Sequence, residues 1–260
     1  MSKIHSTAII DTNAILGEGV DIGPYCVIGP DVKIGDGTRL FSHVVLDGYT
    51  TLGKECEVHP FARIGGATQD LKYIGGKTYV EVGDGTVLRE YVTINCGTRD
   101  GEVTKVGAKT LLMGYCHVAH GCNIGNEVIV SNNTQFAGEV TVENRAVVSG
   151  MMGVHQFCRI GTLAMVSCAR LSQDAPPYMI TQGSDSSSEV AVCGINQVGL
   201  TRRGYSEETR NILKQAYKLL CRSEMNVSDA LAKIEETLPA IPEIHHLVNF
   251  FRSSSRGVVR

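Results

Sequence analysis

No stretch of about 18 consecutive apolar residues occurs anywhere in the 260-residue chain, so the sequence offers no transmembrane helix. Its opening, Met1-Ser2-Lys3-Ile4-His5, also lacks the basic start and apolar core of a secretory signal, which makes cytoplasm the expected location. Positive charge is not in excess either. A net charge of −3 and a pI near 6.2 give no general field for nucleic acid or anionic lipid, and no nucleic-acid partner is expected. Paired cysteine spacing is missing as well. The nine cysteines are scattered, and with 43% hydrophobic residues the chain can build a core without disulfide staples. They read as reduced, mostly small buried hydrophobes.

What is present is a period of six. Stepping by six from Ile4 gives Ile10, Leu16, Ile22, Ile28, Ile34, Leu40, Leu46, Leu52, Val58 and Ile64, resumes at Val82, Leu88 and Ile94, and runs again from Val106 to Val166. Of 28 positions in this register, 25 are Ile, Leu, Val or Phe, where random placement would fill roughly seven or eight. A small or β-branched residue often sits four after the ladder residue, as at Cys26, Val32, Thr38, Val44, Thr50 and Ala62. A helix repeats at 3.6 and an amphipathic strand at two, so neither accounts for six. One flat side of a triangular prism does: three hexapeptides complete a coil of about 18 residues, and coils stack as parallel strands over a continuous core.

The predicted fold is therefore mainly β, a parallel β-helix of hexapeptide repeats over residues 1–190, followed by a small α-helical domain over 191–260. Its left-handed sense is implied by resemblance to hexapeptide-repeat proteins and is not read from the spacing. Residues 66–77 and 100–105 interrupt the ladder without changing its phase and read as loops thrown out of the prism, where binding residues tend to gather. The ladder fails at Ser172, and a polar stretch from Gly183 to Ser188 precedes a change of composition. Beyond it, Ser206 is positioned to cap a helix carrying Ile212, Leu213, Ala216, Leu219 and Leu220 on one face. Two shorter helices are expected near 228–238 and 242–251.

Three histidines, His117, His120 and His155, sit just off ladder residues, near prism edges and about two coils apart at most, so stacking could gather them. Three chemistries compete for them. The segment His117-Val-Ala-His120-Gly121-Cys122 resembles the His-Gly-Cys segment of γ-type carbonic anhydrases, zinc enzymes on the same fold. The ligand spacing differs, however, and no histidine lies between His59 and His117, so no metal is expected. General base catalysis needs one neutral imidazole to take a proton from a hydroxyl attacking a thioester. A nucleophilic Cys122 is the third option. Separately, Arg210, Lys214, Lys218 and Arg222 recur at i+4 on the long predicted helix; four like charges so spaced repel, and an acidic partner would offset that cost.

Several segments together resemble the UDP-N-acetylglucosamine O-acyltransferases that begin lipid A synthesis. They are Gln69-Asp70-Leu71-Lys72-Tyr73, Val92-Thr93-Ile94, His117 to His120, Val154-His155-Gln156-Phe157-Cys158, Gln173 to Tyr178, Gly199 to Gly204, and Phe250-Phe251-Arg252 with Arg256-Gly257. The resemblance covers nearly the whole chain. It implies transfer of a (3R)-3-hydroxyacyl group from acyl carrier protein to the 3-hydroxyl of the UDP-sugar, without a covalent enzyme intermediate, in sites between the subunits of a homotrimer. No cofactor of the enzyme's own is implied; 4'-phosphopantetheine arrives on the carrier protein.

Carried over by position, His120 is the general base. His117 and Gln156 contact acyl group or sugar, Gln69, Asp70 and Lys72 the sugar-nucleotide, and Asn196, Arg202 and Arg203 the nucleotide. His155 shapes the donor site, and Arg210, Lys214, Lys218 and Arg222 meet the carrier protein. Three positions depart from the family pattern. Gly121 stands where an aspartate usually follows the base. Glu139 replaces a histidine one coil on and is placed to supply the missing carboxylate. Asn95 also replaces a histidine, which leaves a 3-amino sugar acceptor open. Acyl length depends on residues near Met165 to Cys168, where the chain is one residue shorter than the family pattern.

Overall fold

The computed structural model describes residues 2–183 and 190–260. Strands of mostly two residues recur every six and assemble into three sheets of eleven, nine and eight strands, the faces of a prism. Neighbours pair in parallel at a spacing of one coil, as in Lys3↔Asp21 and Ile9↔Val27. The ladder residues from Ile22 to Val166 all point into the core and are buried. Each contributes about 1.5–3 kcal/mol of apolar burial, so the stack outweighs any single contact in holding the prism together. The second inward position is small because it sits where the chain turns a corner. Threonine and cysteine serve there by bonding a carbonyl of the next coil: Thr38 Oγ1 donates to Gly53 O at 2.8 Å, Thr134 Oγ1 to Ser149 O at 2.7 Å and Cys122 Sγ to Ala137 O at 3.1 Å. Six of the nine cysteines are buried, and all are free thiols.

Both interruptions leave the prism as expected and return in phase. Across the first, strand partners lie 30 residues apart (Arg63↔Thr93), and across the second 24 (Thr93↔His117), in place of 18. The second excursion differs in its bounds from the predicted 100–105. Strand Val103–Val106 is already paired with Tyr79–Val82, so the loop is residues 96–102. Val103 to Val106 alternates exposed and buried, and six residues beyond the usual 18 are enough for the chain to leave and rejoin the same corner.

The coil contracts by one residue at its last turn, where Val154 pairs with Leu171, and Leu171 fills the core position that Ser172 could not. An antiparallel hairpin, Met179–Gly183 with Val190–Ile195, then extends the eleven-stranded sheet. The strand Val190–Ile195 straddles the expected boundary at 190/191, because its hydrogen bonds to Met179–Gly183 hold it to the prism. The polar stretch up to Ser188 lies outside the described residues.

Four helices follow: α1 (Gln197–Arg202), α2 (Glu207–Cys221), α3 (Val227–Thr237) and α4 (Pro242–Arg252). Three were legible from caps and periodicity; Ser206 accepts the Thr209 N–H at 3.0 Å, as its N-cap role requires. Helix α1, six residues long, has no apolar period to show. The helical end is locked to the prism through buried Asp174. Arg159 Nε donates to its Oδ2 at 2.8 Å, Ser254 Oγ donates to the same oxygen, and Arg159 Nη2 reaches the Phe250 carbonyl at 2.7 Å.

Candidate active site

The nine-stranded face presents its outward residues in a column. Thr93, His117, Gln135 and Gly153 are successive Cα partners, one per coil. A cavity of about 630 Å³ lies over this column, floored by Ala119, Phe136, Ala137 and Val154 and roofed by Gln69, Asp70 and Lys72 from the loop at 67–78. The loop is shaped by its own side chains: Thr68 Oγ1 accepts the Asp70 N–H at 3.1 Å and Asp70 Oδ1 the Lys72 N–H at 3.0 Å. A 3.1 Å contact between the Thr68 and Thr98 hydroxyls clasps it to the second loop.

His120 stands at the corner after this face, its side chain 12% exposed, with Nε2 3.6 Å from Asp70 Oδ2 on the cavity side. Its ring packs against Gly138, where an added Cβ would clash with Nε2 and Cε1. Nδ1 is buried and has no hydrogen-bond partner among the described residues. A ring nitrogen of His120 and one oxygen each from Glu102 and Glu139 lie within 4.8 Å of one another. With one imidazole and two carboxylates this is a charge cluster around His120, unlike a three-histidine zinc set.

Burial, and then the charge of Glu102, raises the Glu139 carboxyl above the ordinary carboxylate range, against the opposing pull of Arg99, 3.9 Å away, and of His120. His117 is held by the Thr93 hydroxyl, 2.7 Å from Nδ1, and burial lowers its pKa, so it is neutral at neutral pH. Cys122 is fully buried, and burial pushes its thiol up to about 12; it is no nucleophile.

Of the residues singled out in the sequence, Gln69, Asp70, Lys72, His117, His120 and Gln156 share the cavity wall. His155 does not: it is exposed, and its Nδ1 accepts from Arg256 at 3.0 Å, which ties the C-terminal tail to the prism. Asn196 caps α1. Its Oδ1 accepts the Gly199 N–H at 3.0 Å and its Nδ2 donates to Leu163 O at 2.9 Å. Arg202 is exposed and Arg203 pairs with Glu127.

The four-cation stripe on α2 divides. Arg210 turns in to the Thr201 hydroxyl and the Tyr205 carbonyl, and Arg222 donates to the Tyr217 hydroxyl at 2.5 Å. Lys214 and Lys218 stay exposed, with no ion pair among the described residues. Two members of the site were not singled out. Gln135 is one coil beyond His117, and counting 18 from that histidine would have found it. Glu102 belongs to the second ladder interruption, but nothing in the sequence aims it at His120.

The acyl-[acyl-carrier-protein]–UDP-N-acetylglucosamine O-acyltransferase of Thermodesulfovibrio yellowstonii is 45% identical over 262 aligned residues, covering all of both chains. The chain belongs to the UDP-N-acetylglucosamine O-acyltransferases. The family model described as UDP-N-acetylglucosamine O-acyltransferase, domain 2, matches residues 174–259. The UDP-N-acetylglucosamine acyltransferase structure from Bacteroides fragilis superposes with a TM-score of 0.95 at 41% identity, covering 99% of this chain and 100% of that one. The corresponding enzyme of Acinetobacter baumannii gives 0.93 at 40%, with 99% of each chain covered. The fold is thus the left-handed parallel β-helix of this acyltransferase family, with its helical C-terminal portion.

The space beside His120 is shared by two corner positions of successive coils. Gly121 has a φ of +64° and no side chain, and Glu139, with a φ of +62°, occupies the same corner one coil on. The two corners are joined by the Glu139 N–H donating to the His120 carbonyl at 2.9 Å.

Proposed function

We propose that this chain transfers a (3R)-3-hydroxyacyl group from acyl carrier protein to the 3-hydroxyl of UDP-N-acetylglucosamine, the first step of lipid A biosynthesis, in the cytoplasm. The observation that carries the mechanism is the placement of His120, mostly buried, with Nε2 facing Asp70 on the cavity side and carboxylate oxygens of Glu102 and Glu139 within 4.8 Å of a ring nitrogen. In this reading Nε2 takes the proton as the sugar oxygen bonds to the thioester carbon. The tetrahedral intermediate collapses, the carbon–sulfur bond breaks, and the imidazolium returns the proton to the departing phosphopantetheine thiolate. A carboxylate beside the ring orients it and stabilises the imidazolium as it forms; Glu139 is assigned that role here.

The roof residues Gln69, Asp70 and Lys72 hold the sugar-nucleotide, and His117 and Gln156 line the path of the sugar and acyl chain. The active form is a homotrimer. Supporting this, exposed corner side chains stack along one prism edge: Tyr25, His43, Phe61, Tyr91 and Tyr115, with ring centroids 4.7–5.0 Å apart. Leu71 and Ile74 at the tip of the roof loop are almost wholly exposed in the single chain. Apolar surface of this kind is what a subunit contact covers. Asn196, Arg202 and Arg203, remote from the cavity within one chain, serve the nucleotide across that contact, with His155 beside the donor site. Helix α2 meets the acidic carrier protein, led by Lys214 and Lys218, with Arg210 and Arg222 flanking.

Incubating the purified protein with 3-hydroxyacyl carrier proteins of varied length and UDP-N-acetylglucosamine tests the proposal. An acylated nucleotide is expected, and His120→Ala should lower its rate by on the order of 100-fold or more. No product with any donor length would refute it.

A further inference from the structure

A Cβ added at Gly121 would lie 3.0 Å from a Glu102 carboxylate oxygen and 3.1 Å from the Glu139 carboxyl carbon. Two acidic side chains from different coils therefore occupy the volume that a side chain at 121 would take. Glu102 is not free to leave it. Its Oε2 accepts the backbone N–H groups of Thr98 and Arg99, so the carboxylate is built into the loop at 96–102, which in turn clasps the cavity roof.

We infer that Glu102 and Glu139 act as a coupled carboxyl pair that positions His120 in place of the side chain missing at 121, with Glu102 controlling the charge that Glu139 carries. The inference rests on His120 being the base. Two carboxylates so close resist ionising together, and the second proton is lost at higher pH than an isolated carboxyl would require. The raised Glu139 carboxyl agrees with this. The groups facing the pair are His120, with Asp70 beyond its ring, Arg99 on the solvent side and the neutral Cys122 thiol beneath.

In the active form Glu139 is ionised and faces the imidazolium as it forms. The like charge of Glu102 opposes that ionisation and the Arg99 guanidinium favours it. The two neighbours therefore act on the acid limb of the rate profile with opposite signs.

The experiment measures kcat and the KM for UDP-N-acetylglucosamine against pH for the full chain and for Glu102→Gln, Arg99→Gln, Glu139→Gln and His120→Ala. Glutamine at 102 keeps an oxygen for the Thr98 and Arg99 N–H groups, so the loop is preserved while the charge is removed. The acid limb of kcat should move to lower pH in Glu102→Gln and to higher pH in Arg99→Gln. Glu139→Gln should lower kcat by on the order of tenfold or more with KM little changed.

Unmoved acid limbs in Glu102→Gln and Arg99→Gln, as a purely structural Glu102 would give, overturn the pair; so does a near-wild-type kcat in Glu139→Gln. If Glu102→Gln does not fold, the direction of the Arg99→Gln shift decides alone. Activity retained by His120→Ala would instead overturn the base assignment, a different failure.

Discussion

The His120 ring lies so close to Gly138 that the glycine is there for space; its backbone is not in the left-handed region where glycine would be needed for conformation. A methyl group at 138 must push the imidazole out of the corner, and a misplacement of about 1 Å costs on the order of 100-fold in rate. Gly138→Ala is therefore expected to lose about two orders of magnitude in kcat while its melting temperature stays close to wild type, measured by steady-state kinetics and thermal melting on the same preparation. A wild-type rate would mean that the ring is free to shift without consequence. Residue identity at 121 and 139 carries the opposite lesson. Glu139 brings a carboxylate to the side of Gly121 from a corner one coil away, which a repeating scaffold allows because equivalent corners stack at the same place.

At the scale of elements, the docking of α4 depends on a few polar contacts to prism side chains. His246 Nε2 and the Thr162 hydroxyl and N–H all meet Glu143 Oε2, at 2.7–2.8 Å. Burial alone would raise the Glu143 carboxyl, but the bonds from His246 and Thr162 outweigh it and hold the group below its ordinary value. A carboxyl lowered in the folded state contributes stability that is complete above the unfolded carboxylate range and is lost as pH falls through the folded value. Glu143→Gln should therefore melt below wild type at neutral pH, by an amount equivalent to about 1–2 kcal/mol, and the gap should close as the pH is lowered through the carboxylate range. Melting curves of both proteins across pH check this; a gap that widens towards acid would contradict it.

The whole molecule is a stack in which each coil touches only its neighbours, so its outer edges are available for self-association. The exposed edge of Tyr25, Phe61, Tyr91 and Tyr115 runs along corners whose φ angles are 58–64°. The same corner conformation is occupied by Glu55, Glu127 and Glu139, so glutamate is tolerated there by the fold. On the proposed homotrimer, Phe61→Glu is expected to leave thermal folding of the chain intact while shifting its sedimentation from trimer towards monomer, with activity falling in parallel. A fully active trimer in the variant would place the subunit contact elsewhere.

The sequence by itself determined the prism, because a stacked core demands the same kind of residue every six positions and the demand is repeated along some 160 residues. It also determined the three longer helices, whose caps and apolar faces are local. The hairpin of Met179–Gly183 with Val190–Ile195 and the short helix α1 were hidden, since neither has a period and both are held by contacts made elsewhere in the chain. The segments carrying His120 and the roof residues stood out as motifs, and the structure brings them to one cavity.

Only the tertiary structure decided what surrounds His120. Glu102 and Gly138 reach it from positions 18 residues away on either side, Glu139 comes from the same corner one coil on, and Asp70 arrives over a loop thrown out two coils earlier. Separations of that kind are set by how coils stack and loops fold back. The one-dimensional pattern records the stacking but not the direction in which a loop's side chains turn.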